Sequence, residues 1–458
     1  MTRFTSIDDS VTSSVDRAAE ATTETLDLLK TLGRDLNAVT AVYDDHALGQ
    51  AASFTPGTAL SGVPLAHKQL FRREGWGDDG GSPSFEGRIA GETATVISKL
   101  DAAGAIDCAR LVTVEYALGV TGHNDWAGTP QNPWQRDYIC GGSSSGSAAV
   151  VSAGIVPVAL GSDTGGSIRL PAAACGLFGI KPSQGLVSRH GVFPLSTSLD
   201  TIGPLARSVR DAALVLEVIR GFDAADPESV RAGQPPLLAS AEDGLGGLRI
   251  GRAEPYFLTG SDAPVADATD AAIREMAGLG GTIIDTSIPG IEDTNPINVL
   301  LIATEAARGY AETVLEKHPV MNDQTVMRVL AGAFTDETEY QRILSARAHL
   351  ARRMIANLFE DIDLLVTPVW PFLLPSRDES DVGARPEAAS LMQRIGHNTR
   401  PFNFLGLPVI TVPVGLDPNG LPLSIQLVGK PFDEATLIRA ATALERHYAF
   451  WDSRPAGL

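Results

Sequence analysis

Residues 141–171 read GGSSSGSAAVVSAGIVPVALGSDTGGSIRLP. Two glycine-serine clusters, Gly141–Ser147 and Gly161–Ser167, bracket a run of small apolar residues. Glycine and serine are the usual residues of flexible linkers. Here, however, the first cluster runs straight into an apolar pattern, Ser145–Ala153, that predicts a helix closed by Gly154. The next residues, Ile155–Leu160, predict a short buried strand, and the second cluster leaves that strand for Ile168-Arg169-Leu170-Pro171. Glycine-rich turns joined at both ends to packed elements read as functional loops rather than tethers.

The same alternation continues outward. Residues 10–32 carry Val15, Ala18, Ala19, Leu26, Leu28 and Leu29 among polar residues and predict an amphipathic helix capped by Gly33. Further helices are expected at Thr93–Ala103, Pro264–Leu279, Pro296–Lys317 and Asp336–Phe359. Strands are expected at Leu248–Gly251, Thr282–Ile284, Leu364–Val369, Val409–Val414 and Leu423–Val428. Such alternation predicts an α/β layer fold with a mixed or mostly parallel sheet. Residues 223–247, rich in Pro, Gly, Ala and acidic groups, read as an exposed connection. Strands on both sides of it favour one continuous sheet. The expected organisation is a single domain over 1–458, with N-terminal covering helices in 1–60 and the catalytic core segment in 61–215.

Composition narrows the function. The 458 residues contain 36 Lys and Arg against 55 Asp and Glu, a formal charge of −19, which opposes a phosphate-backbone partner. No nucleic acid is expected. The longest small-apolar stretch is broken by Ser152, Gly154 and Pro157 and is too short to span a bilayer, and MTRFTSIDDSVTSS has no apolar signal core. A cytoplasmic protein without a membrane partner is expected. The three cysteines, Cys108, Cys140 and Cys175, are far apart and read as small buried side chains, and no HxxxH or HExxH pair is present. Neither a metal nor another cofactor is called for.

Three chemistries fit glycine-rich turns. Phosphate binding lacks the GxxxxGK[ST] pattern. A nucleophile elbow matches Gly142-Ser143-Ser144-Ser145-Gly146 formally, but Trp134–Tyr138 before it does not read as the buried strand that motif needs. A serine nucleophile whose own turn supplies the oxyanion hole remains. Thr164, Gly165 and Gly166 precede Ser167, and their N–H groups can approach a developing oxyanion closely. A lysine serves as base when burial makes its neutral form accessible. Lys68, after Val63-Pro64-Leu65-Ala66, and Lys181, after Leu177-Phe178-Gly179-Ile180, are both placed for this, and local pattern leaves the two open.

The run GGSSSGSAAVVSAGIVPVALGSDTGGSIRLPAAACGLFGIKPSQGLVSRHG resembles the amidase signature, with its two key serines 167 − 143 = 24 positions apart. Gly62-Val63-Pro64 leading to Lys68, Glu115–Gly119, Asn132-Pro133-Trp134, Ser198-Leu199-Asp200 and the ending GLPVITVPVGLDPNGLPLSIQLVGKPFDEATLIRAA extend the likeness over nearly the whole chain. The resemblance implies one α/β/α domain around a large mixed sheet. It implies Ser167 as nucleophile, Ser143 as bridging serine after a cis peptide bond, and Lys68 as base. It places the oxyanion hole at Thr164, Gly165, Gly166 and Ser167, and makes Asp163 and Arg169 an ion pair that shapes the loop, so that nothing selects acidic substrates.

Two departures stand out: Gln69 follows Lys68 where the family carries an acidic residue, and Trp370 replaces a small residue. Trp370 is thereby expected to alter the substrate pocket. The activity implied is hydrolysis of linear carboxamides through an acyl-enzyme, with carbamates or esters as related substrates, by a monomer or homodimer. The alternative is the amidase-like glutaminase subunit of a tRNA-dependent amidotransferase, which hands ammonia to a partner. No extra partner-binding segment is evident in the sequence. A non-catalytic binding protein is disfavoured because all three triad residues are present.

Overall fold

The computed structural model describes residues 4–252, 255–385 and 387–456. Eleven strands form one mixed sheet: β1 (Val39–Val42), β2 (Pro64–Lys68), β3 (Ile106–Leu111), β4 (Val158–Asp163), β5 (Phe178–Lys181), β6 (Thr201–Ala206), β7 (Arg249–Arg252), β8 (Thr282–Asp285), β9 (Leu364–Pro368), β10 (Val409–Leu416) and β11 (Pro422–Gly429). Their order is β1-β3-β2-β4-β6-β5-β10-β11-β9-β7-β8. Strand β2 lies parallel to β3 and β4, and β7 parallel to β8 and β9, while the centre is antiparallel. Segments on both sides of residues 223–247 therefore share one sheet. The fold is α/β.

Strand β4 shows why both faces are covered. All six of its residues are buried. Val158 and Leu160 pack on one side with Val209, Ala212 and Leu216 of the helix Val209–Ile219. Ala159 packs on the other with Ala148, Ala149 and Val151 of the helix Ser145–Ser152. A strand buried on both faces needs this continuous apolar run rather than polar alternation.

Two boundaries differ from expectation for identifiable reasons. The strand after the first cluster begins at Val158 rather than Ile155, because the preceding helix ends in a Schellman closure: Gly154 has φ +72°, its N–H donates to Val151 O, and Ile155 N–H donates to Val150 O. The strand also runs on through Gly161, Ser162 and Asp163, so three of the seven residues of the second cluster are sheet. At the N-terminus, the helix Val15–Leu28 continues through a π turn, Leu29–Gly33, and the chain reverses only near Asn37, whose φ is +52°. Gly33 is not a cap. Its missing side chain makes room for Val39, whose Cγ2 would lie 2.8 Å from a Cβ there. Residues 1–60 thus contribute a sheet-edge strand, β1, besides helices.

The connection at 223–247 has no strand or helix, but it is pinned. Asp223 accepts from Ser188 and Thr95, and Asp226 pairs with Arg189. Cys108, Cys140 and Cys175 are buried free thiols. No helix among the described residues is long and apolar enough to cross a membrane.

Candidate active site

Parallel pairing of β2 with β4 brings the C-terminal ends of both strands together. Lys68 is the last residue of β2, and Asp163 the last of β4. The loop that follows β4 carries Ser167, and the first cluster folds beside it before its helix begins at Ser145. Ser144 N–H donates to Ser167 O at 3.3 Å, tying the two loops together. The Gly142–Ser143 peptide bond is cis. Ser143 O accepts from Val114 N and from Thr113 Oγ1.

Lys68 is wholly buried and donates to Ser143 Oγ at 2.8 Å and to Ser162 Oγ at 2.9 Å. Burial lowers its pKa to about 7, against the opposing pull of Asp200 and Asp163. Its neutral form is therefore well populated near neutral pH, where an ordinary lysine is a cation. Lys181 is equally buried, and burial lowers its pKa to about 7 as well. Its Nζ, however, donates to Pro182 O and meets neither serine. Geometry separates two lysines that local chemistry makes equivalent.

The loop that carries Ser167 is held from within. Arg169, 0% exposed, forms a two-point ion pair with Asp163 through Nε and Nη2, both at 3.0 Å. Its remaining donors go to Thr399 O, Gln426 and Asn403. Burial alone would raise the Asp163 pKa, but the Arg169 charge holds it well below the usual carboxylate range. No donor of Arg169 is left over for a substrate. The Asp163 carboxylate also accepts from Gly166 N at 2.8 Å and Ile168 N at 3.1 Å.

That bond corrects the expected oxyanion hole. Gly166 N–H faces Asp163, because φ of +129° turns its peptide toward the carboxylate. The N–H groups of Thr164, Gly165 and Ser167 have no protein acceptor among the described residues. Three of the four expected donors remain open. Only glycine fits position 166: a Cβ there would lie 2.4 Å from Thr399 Oγ1.

The two departures resolve differently. Gln69 turns away from Lys68 and gives its Nε2 to Asp79. Trp370 is buried against Phe372, donates to Leu170 O at 3.1 Å, and lines a small cavity beside Ala174.

Several groups escaped the sequence reading. Ser162 supports Lys68, and Asp200 accepts from Thr164 Oγ1 and from Leu195 and Ser196 N–H. Their signal was present, since Ser162 belongs to the second cluster and Asp200 to the Ser198-Leu199-Asp200 motif. Arg400 and Asn298 had none. A Cβ on Gly165 would lie 3.4 Å from Arg400 Cγ and 3.8 Å from Asn298 Oδ1, so both residues wall the loop. Arg400 is 5% exposed and donates only to the carbonyls of Gln393 and Met392. Burial, then the nearby Arg328, lowers its pKa to about 10. It remains a cation at neutral pH, with no carboxylate partner among the described residues.

A family profile described as Amidase matches residues 20–438. The chain is 34% identical over 453 residues to a glutamyl-tRNA(Gln) amidotransferase subunit of Chromobacterium violaceum, covering 93% of each. Among solved structures it resembles a chain from a vestigial protein complex tied to the origins of an s-triazine catabolic enzyme, at 30% identity and TM-score 0.85, covering 94% of this chain and 95% of that one. It also resembles a bacterial aryl acylamidase of the amidase-signature family, at 26% identity and TM-score 0.86, covering 100% and 99%. A profile match across most of the chain, on this fold and around these two serine loops, places the protein in the amidase-signature family.

Proposed function

We propose that this chain hydrolyses carboxamide C–N bonds through an acyl-enzyme. Ser167 Oγ attacks the carbonyl carbon as its proton passes to Ser143 Oγ, whose own proton passes to neutral Lys68. The oxyanion of the tetrahedral intermediate is received by the N–H groups of Thr164, Gly165 and Ser167. The C–N bond then breaks, the relay returns a proton to the leaving nitrogen, and water, deprotonated by the same relay, releases the acid. The observation that carries this reading is the 2.8 Å contact from fully buried Lys68 to Ser143, at a pKa of about 7. A base poised near the working pH is the efficient one.

Arg400 bears on the substrate. A buried cation without a counterion is costly, and a substrate carboxylate would supply the missing partner. An amide that carries a carboxylate would bring that partner where a neutral one would not, despite the overall charge of −19. Glutamine has both groups, and the curated relative is named as an amidotransferase subunit. These two points favour the glutaminase subunit of a tRNA-dependent amidotransferase, cytoplasmic and working with partner chains. The second reading, a stand-alone amidohydrolase, is supported by the aryl acylamidase, whose fold is matched over the full chain.

A hydrolysis panel of glutamine, anilides, aliphatic amides, carbamates and esters, run with chelator present, separates them. Ammonia release from glutamine, lost in Ser167→Ala and raised in KM by Arg400→Gln, is expected. Turnover of anilides but not glutamine selects the stand-alone enzyme. Undiminished turnover in folded Ser167→Ala removes the mechanism.

A further inference from the structure

A cleft of about 330 Å³ opens beside the C-terminal end of β4, lined by Ser162, Val192, Phe193, Asp200 and Ile202 among others. None of Ser167, Ser143 and Lys68 lines it, but it reaches the lysine through Ser162, the second partner of Nζ. Ser162 alternates with Leu160 along the strand, and Leu160, Phe193 and Ile202 pack in one apolar cluster. Its backbone is engaged: it stands in register with Ile202 of β6, and its carbonyl accepts from Ser144 Oγ. The 5% of Ser162 that is exposed is therefore its side chain, which faces the cleft.

Donors and acceptors give the Lys68–Ser162 contact a direction. A neutral lysine has two N–H groups and one lone pair, and the relay needs that lone pair on the Ser143 hydroxyl. Ser162 must then accept an N–H from Lys68 and send its own proton elsewhere. Among the described residues, no group accepts from Ser162 Oγ. With no acceptor at all, the hydroxyl would turn to the lysine lone pair, Lys68 would give an N–H to Ser143, and the relay would be reversed at its first contact. The cleft offers the way out. It has room for water, which needs polar partners of its own, and Asp200 lines it too. Oδ2 of Asp200 accepts from Leu195 and Ser196 N–H, while Oδ1 accepts from Thr164 Oγ1 and keeps a lone pair for a further donor.

We propose that Ser162 is a positioning residue and this cleft its solvent port: a water held between Ser162 Oγ and the Asp200 carboxylate takes the serine's hydrogen bond, so that Ser162 accepts from Lys68 and turns the lysine lone pair toward Ser143. No covalent bond changes in the port; it orients the amine. The inference rests on the reading of Lys68 as the base.

A crystal structure at a resolution that orders water, together with the kinetics of Ser162→Thr and Ser162→Val, tests it. Thr and Val share one shape and differ in the hydroxyl. With L-glutamine, or with acetanilide where glutamine is inert, Ser162→Val is expected to lose about tenfold or more in kcat with KM little changed, and Ser162→Thr to stay within about threefold of wild type. The deficit in Ser162→Val should persist on the alkaline plateau, because raising the pH does not redirect the lone pair of a lysine that is already neutral. Ser162→Ala takes the place of Ser162→Val where that variant fails to fold. Three results overturn the proposal: no water within hydrogen-bond distance of Ser162 Oγ in the cleft, equal kcat in the Thr and Val variants, or a deficit that vanishes on the plateau. Ser167→Ala keeps this test apart from the function itself. Turnover retained in Ser167→Ala removes the whole mechanism, whereas wild-type kcat in Ser162→Val beside an inactive Ser167→Ala removes the port alone.

Discussion

Replacing Asp200 by Asn should move the pH profile of hydrolysis toward acid. The proposed relay would need neutral Lys68, so kcat/KM should follow the unprotonated fraction of that amine. With a pKa of about 7, set by burial, activity rises with pH through neutrality and reaches a plateau above it. The neutral fraction goes from about 10% at pH 6 to about 90% at pH 8, roughly a ninefold gain. Asp200 favours the charged lysine and so holds this midpoint up. Asn removes the charge while its side-chain oxygen can still accept from the Leu195 and Ser196 amides, and its NH2 can donate to Thr164 Oγ1, the three partners that Asp200 now accepts from. A nearby opposite charge displaces a pKa by about one unit at the low end, equivalent to about 1.4 kcal/mol. The assay is initial-rate kcat/KM from pH 5.5 to 9 at constant ionic strength, on an amide that does not itself titrate in that range. A midpoint near 7 in the wild type and near 6 in the variant is expected. An unmoved or alkaline-shifted midpoint in a folded Asp200→Asn protein would refute the assignment of Lys68 as the titrating base.

Lys181→Met is the matching control: it should leave the midpoint in place, because Lys181 bonds Pro182 O and neither serine, and a displaced profile would transfer the base to that residue. Arg169→Met should cost about 3–5 kcal/mol in denaturant unfolding, since it strands the buried Asp163 carboxylate, and the double variant with Asp163→Asn should recover part of the loss. Equal destabilisation by the single and double variants would show that packing, not charge, dominates. Gly166→Ala places a Cβ 2.4 Å from Thr399 Oγ1 at a φ that suits glycine alone. It should lower kcat far more than the unfolding temperature, and wild-type kcat in that variant would contradict the described loop.

What could be read from the sequence was what the chain keeps local. Asp163 and Arg169 are six residues apart on one turn, so their pairing needs no knowledge of the fold, and Ser143 and Ser167 sit in glycine-rich turns whose backbone demands are written in the residues themselves. The strand start at Val158 is hidden because Ile155 and Val156 are as apolar as strand residues, while the Schellman closure at Gly154 already uses the Ile155 N–H. Lys68 and Lys181 could not be told apart locally because both end apolar strands and both lose hydration. The parallel pairing of β2 with β4 makes the distinction, and strand register lies beyond any single segment. Arg400 is the limiting case. It lies 400 − 167 = 233 residues from Ser167 and forms no part of the glycine-serine clusters, reaching the loop because the Arg400–Phe404 helix packs behind Gly165. On the proposed function, substrate choice therefore falls to the part of the site that a motif cannot carry: the two serine loops would specify the reaction, and the distant chain that walls them would specify which amide enters.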